Sequence, residues 1–250
     1  MRRLLPEKVS GLLLGLTLAL SFMGPAGPAF AGGIDDFHLK VGAAMKHVRF
    51  AQFYLRTGNL AVAGAELDEA TEKWAAVSAA FGANPPGKMA GDKAVKSDIA
   101  AVAKTLSAAL AAVDADERDA AAAHLKPVAG RLAALRKRNG LWIYSDCIAA
   151  MNRAMDGAWV YRRKPPDFGD AAQVAEMEKR FAALKHWYER CQREAGPRER
   201  GHPAFKRLFD GSLDSIRRLI LAGKDKSALR VVNNLRELRS FDRLIWLHLG

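Results

Sequence analysis

The chain holds only two cysteines, Cys147 and Cys191, neither near the N-terminus and not spaced as C-x-x-C. That leaves a lipid-attached N-terminus, a thiol redox motif and a c-type haem attachment without support. No stretch alternates apolar and polar residues for long enough to propose a strand. Beyond residue 31 no run is long and apolar enough to cross a bilayer, which takes about 20 residues. Catalytic signatures are missing too: there is no H-E-x-x-H zinc helix, no G-x-S-x-G elbow and no E-x-x-H pair on facing helices for a di-iron site. Gly223-Lys224-Asp225-Lys226-Ser227 lacks the upstream glycine and preceding strand of a phosphate loop and reads as a helix turn. The histidines (His38, His47, His124, His186, His202 and His248) are scattered singly, none with a second ligand at metal spacing on its own face, so they read as surface or capping residues.

What is present begins with an export signal. Arg2, Arg3 and Lys8 give a positive start, residues 11–23 are almost wholly apolar, and Ala29-Phe30-Ala31 supplies the small residues of a cleavage site. Residues 1–31 therefore read as a secretory signal peptide cut after Ala31. The alternative, an uncleaved anchor, is opposed by the shortness of the run and by Gly and Pro from Gly24 onward. The arginine pair lacks the surroundings of a twin-arginine signal. An Ala- and Arg-rich, bacterial-looking composition makes the periplasm the expected location, an oxidising compartment in which two cysteines pair. Removing Arg2, Arg3, Glu7 and Lys8 takes the formal charge from +12 to +10. The excess is uneven: residues 151–250 carry 21 Lys and Arg against 13 Asp and Glu, residues 32–150 only 15 against 13.

Apolar residues then step by three and four almost to the end, in Leu60, Ala63, Leu67, Ala70, Trp74, Val77 and Phe81, in Val95, Ile99, Val102, Leu106, Leu110 and Val113, and in Ala228, Val231, Leu235, Leu238, Phe241 and Ile245. Asn59, Asp114, Asp170 and Asp225 or Ser227 read as helix N-caps, and Gly58, Gly140 and Gly223 as helix stops. The caps lie about 55 residues apart, giving four helical hairpins. Sliding the chain by 110 residues superimposes Leu67 on Met177, Ile99 on Phe209, Leu106 on Ile216, Leu125 on Leu235 and Leu135 on Ile245. A hairpin cannot bury its stripe alone, so the expectation is an all-α chain of two tandem antiparallel four-helix bundles from an internal duplication, 32–140 and 141–250. A helical-repeat solenoid is the alternative architecture. Pro127 is expected to kink the fourth helix or mark its restart. The same shift places Cys147 and Cys191 on Phe37 and Phe81, opposite one another near the open end of a hairpin. A disulfide there would be worth roughly 3–4 kcal/mol on loop-entropy grounds.

In an antiparallel bundle the start of the first helix meets the end of the last, which brings Met151 or Met155 toward His248. In this helix layout each half resembles the cytochrome c-prime family and the soluble b-type four-helix cytochromes. That resemblance implies a haem between a first-helix methionine and a last-helix histidine. The last helices carry no cysteine pair, so a haem here would be non-covalent, with Met151 or Met155 and His248 as axial ligands. Methionines as adaptable core filler are the competing reading. A second feature is a cationic end, with Arg162, Arg163 and Lys164 closing one helix and Arg217, Arg218, Lys224 and Lys226 another. Part of it complements helix C-termini. The rest could meet an anionic partner such as lipid headgroups, cell-wall polymer or an acidic protein, with nucleic acid disfavoured for an exported chain. The expectation is a non-enzymatic exported protein that binds a partner or serves as sensor or scaffold, with no cofactor, the alternative being a haem- or metal-binding bundle.

Overall fold

The computed structural model describes residues 33–250, and the expected signal peptide lies outside them. Every regular element among these residues is helical. Helices α1 (Ile34–Thr57) and α2 (Leu60–Phe81) form a hairpin, and a 3-10 turn at Gly87–Gly91 leads to α3 (Val95–Asp114), α4 (Arg118–Leu125) and α5 (Val128–Arg138). After a short link come α6 (Tyr144–Trp159), continued by a 3-10 turn at Val160–Arg162, then α7 (Ala171–Glu194), the short α8 (Pro197–Arg200), α9 (Phe205–Lys224) and α10 (Ala228–Leu249).

Local chemistry explains the boundaries. Gly58 ends α1 at φ 83°, its N–H reaching back to the carbonyls of Leu55 and Tyr54. The Asn59 side chain then accepts the Val62 N–H to open α2, and Asp170 accepts from Ala172 and Gln173 to open α7. Pro127, with no N–H to donate, separates α4 from α5 as expected. Two expected boundaries are corrected. Asp114 is the last residue of α3, because the chain makes a further turn through Asp116 at φ 63° before Glu117 takes the N-cap position. Gly223 lies inside α9 and is buried; a Cβ there would stand 2.8 Å from Met177 Cε, so close helix packing, not termination, calls for glycine.

The apolar faces collect into two cores. Phe37, Leu67, Trp74, Phe81, Ile99, Leu106 and Leu135 belong to the first, drawn from α1–α5 and the 3-10 turn at Gly87–Gly91. Met155, Phe181, Leu184, Tyr188, Phe209, Leu235 and Ile245 belong to the second, drawn from α6, α7, α9, α10 and the residues beside them. Around the first, α1 packs on α2, α2 on α3, α3 on α4, and α4 back on α1. Around the second, α6 packs on α7, α7 on α9, α9 on α10, and α10 back on α6.

The correspondence at 110 residues extends to backbone detail. Adding 110 to the bounds of α3 gives those of α9. The described non-glycine residues with positive φ, Asp116 and Lys226, are 110 apart. Both turns close identically, with Glu117 N–H on Ala112 and Ser227 N–H on Ala222. Phe37 and Phe81 meet edge to face at 5.3 Å, and at the matching place Cys147 and Cys191 lie at disulfide distance, with sulfurs 2.05 Å and Cα atoms 5.7 Å apart.

Candidate functional site

The two halves meet where α10 lies against α1 and where the short link joins α5 to α6. A buried ion pair fixes that link. Arg136 in the last turn of α5 donates through Nε and Nη2 to Asp146 in the first turn of α6, at 2.8 and 2.6 Å, and Asp146 Oδ2 also accepts the Ile143 N–H. Both side chains are under 10% exposed, so each needs the other to offset the cost of leaving water.

Beside this lock a cleft of about 820 Å³ opens between the halves. One wall is the outer face of α1, with His38, Leu39, Gly42, Lys46, Arg49 and Phe50; the other is built from Tyr144, the residues around α8 and the end of α10, including Arg198, Glu199, His202 and His248. Such a volume falls in the range of small-molecule sites. The Arg198 guanidinium crosses toward α1, within 3.9 Å of where a Cβ on Gly42 would stand.

The polar groups here are under-satisfied. Both ring nitrogens of His38 and the Tyr144 Oη are buried with no hydrogen-bond partner among the described residues, an uncommon and costly condition. Arg49 is buried, and its single hydrogen bond among the described residues runs from Nε to the Leu247 carbonyl at 3.4 Å. Its remaining N–H donors are uncommitted there. Burial, reinforced by Arg198, pushes the Arg49 pKa down to about 10. Burial also lowers the pKa of His38, with Arg136 adding to it, and that of His248, where His202, Arg49, Lys46 and Arg207 act in the same sense. Burial raises the Tyr144 hydroxyl, helped by Glu199. The cleft is lined by Lys46, Arg49, Arg198, His202 and His248 together with the carboxylates Asp35 and Glu199.

His202 and His248 lie with ring centroids 5.4 Å apart, and His248 meets Phe50 edge to face at 6.0 Å. His202 Nδ1 accepts the Ala204 N–H at 3.2 Å. That bond assigns the neutral ring a proton on Nε2, leaving Nε2–H as a donor. In the first half the matching positions are Asp92, which caps Ala94 in the same way, and Arg138, which ion-pairs with Asp92 at 3.1 Å. Where one half has a closed aspartate–arginine pair, the other has two imidazoles facing the cleft.

Among the sequence-derived candidates, Cys147 and Cys191 are brought together. Met151, Met155 and His248 differ in their surroundings. Both methionines are fully buried in the second core, whereas His248 is exposed at the cleft against Phe50. Within the cationic group, Arg162 stacks over Trp159, Arg217 pairs with Asp214, and Arg218 pairs with Asp214 and Glu237. Arg163, Lys164, Lys224 and Lys226 are exposed and form no ion pair among the described residues. Sequence reasoning did not find the cleft. Its signal lay in positions that break the 110-residue correspondence: His202 against Asp92, His248 against Arg138 and Arg136 against Trp246.

Compared with known proteins, the chain matches no protein family, no curated protein and no solved structure.

Proposed function

We propose that this chain is an exported, periplasmic binding protein without catalytic activity, built from two copies of one antiparallel four-helix bundle, 32–140 and 141–250, whose junction receives a small ligand. The observation that carries the reading is the cleft between the halves, where His38 and Tyr144 keep buried polar atoms without partners and Arg49 leaves donors uncommitted. A ligand supplying those partners would remove a standing cost of the free state. Duplication is supported by matched helix bounds, matched positive-φ turns and the Phe37–Phe81 pair standing for the cystine. Export is supported by the N-terminal sequence pattern and by the paired cysteines.

A thermal-shift screen of a small-molecule library against the wild type and Gly42→Leu tests the reading. Leucine on that face of α1 suits a helix and fills the cleft toward Arg198. Compounds that raise the melting temperature of the wild type and not of the variant are expected. A library with no such compound would refute the reading. The exposed, unpaired Arg163, Lys164, Lys224 and Lys226 favour a second contact, with an anionic partner surface at the far end of the second half. Salt-sensitive binding to anionic vesicles, abolished when these four are neutralised, is the expected result there, and salt-independent binding or none would dismiss it.

A further inference from the structure

We infer that the ligand of this cleft is a small organic oxyanion, seated among Lys46, Arg49, Arg198, His202 and His248. This rests on the reading of the cleft as a binding site and adds the chemistry of what it binds.

Three independent features select that chemistry. The first is charge placement: the basic side chains Lys46, Arg49, Arg198, His202 and His248 line one cleft, with the His202 and His248 ring centroids 5.4 Å apart. Asp35 and Glu199 also line the cleft, and Glu199 already accepts the Gly196 N–H at 3.0 Å. A molecule negative at one end and neutral or hydrogen-bonding at the other matches this lining.

The second is donor count. Arg49 has a single protein hydrogen bond among the described residues, so its guanidinium retains N–H groups able to grip a carboxylate or phosphate in a planar fork. The Ala204 N–H on His202 Nδ1 makes Nε2–H a donor as well. Donors concentrated in a partly dehydrated place call for an acceptor, and an ionised oxygen is the strongest acceptor available.

The third is the departure from the internal correspondence. At the positions of His202 and His248 the first half holds Asp92 and Arg138, which satisfy each other at 3.1 Å. That pair leaves nothing for a ligand. Replacing both members by imidazoles removes the internal carboxylate and leaves the neighbouring cations without a counter-ion on that side. The carbon body of the ligand would lie against Leu39, Phe50 and Pro203, and its far end would meet Tyr144 Oη and His38, which lack partners.

Isothermal titration of the full chain at pH 7 and low salt, with glutarate, benzoate and inorganic phosphate as probes and neutral glutaramide as control, tests the inference. Saturable binding of at least one anion, at least tenfold tighter than glutaramide, is expected. The carboxylate and phosphate arms distinguish the two sources of an oxyanion. Lys46→Gln and His248→Gln alter exposed side chains and are expected to weaken binding about tenfold each with unchanged circular dichroism; Gly42→Leu is expected to abolish it. Anions that fail to saturate below about 50 mM, affinity unchanged in all three variants, or glutaramide bound as tightly as glutarate would overturn the oxyanion. In the last case, if Gly42→Leu still removes the neutral ligand, the cleft remains the site and only the ligand chemistry is wrong.

Discussion

Asp242 offers a sharp pH prediction because it is an ionisable group deep in the second core, 3% exposed and close to Tyr188. Burial pushes its pKa up from 3.8 to about 6, against the lowering effects of the Tyr188 hydroxyl at 2.9 Å and of Arg239. The difference from the ordinary value amounts to about 3 kcal/mol of preference for the protonated form in the folded chain. The sign follows from linkage. Below pH 3.8 both states hold the proton and the group contributes nothing; between 3.8 and about 6 the unfolded chain ionises first, so stability falls as pH rises; above about 6 the full cost remains. In Asp242→Asn an amide oxygen still accepts from Tyr188, and Arg239 keeps Asp156 at 2.7 Å. After allowing for the lost contact with Arg239, the variant is expected to be about 1–2 kcal/mol more stable than the wild type at pH 8, with the gap closing by pH 4. His38 and His248 titrate with the opposite slope but are common to both proteins, so they cancel in the difference. Urea unfolding followed by circular dichroism at half-unit steps from pH 4 to 8 reads this directly. A wild type–variant difference constant across that range would refute the reasoning. Tyr188→Phe, which removes the hydroxyl that favours the ionised carboxylate, should move the midpoint higher.

Three further outcomes follow from packing and pairing. Asp146→Ala leaves Arg136 buried without its carboxylate and should cost about 3–5 kcal/mol by urea unfolding, with faster hydrogen exchange in residues 139–146. Replacing both cysteines by alanine should cost roughly 3–4 kcal/mol, and replacing them instead by phenylalanine, as at Phe37 and Phe81, should recover part of that loss if the two places are equivalent. Trp74→Phe removes an indole N–H that donates to the Ile99 carbonyl at 3.0 Å in the first core, and should cost about 1–3 kcal/mol in the same assay.

Helix content, the cystine and the break at Pro127 were legible because each depends on local period or on a single residue's chemistry. The caps at Asn59 and Asp170 were legible for the same reason: a short polar side chain before an apolar run has one obvious use. Asp114 misled because it has the same residue type, but here α3 uses it as a final residue and the turn is made by Asp116 at positive φ, a conformation for which aspartate carries only a weak signal. The cleft was not legible, since it joins α1 to α10 and to residues around α8, and no spacing rule links His38, Tyr144, Arg49 and His202. Each histidine alone looks like a surface residue. The 110-residue shift aligned apolar positions and so emphasised what the halves share, whereas the site sits at positions where they differ. Helix direction suggests that Met151 or Met155 meets His248 at one end of the second bundle, whereas the burial of both methionines in the second core depends on the register of α6.

The claim on which the account rests is that the junction of the halves holds a small molecule. Native mass spectrometry of the protein isolated from its own host, without unfolding, tests it most directly. One bound small molecule is expected on the wild type and none on Gly42→Leu; a wild type that carries nothing beyond its own polypeptide mass would contradict the claim.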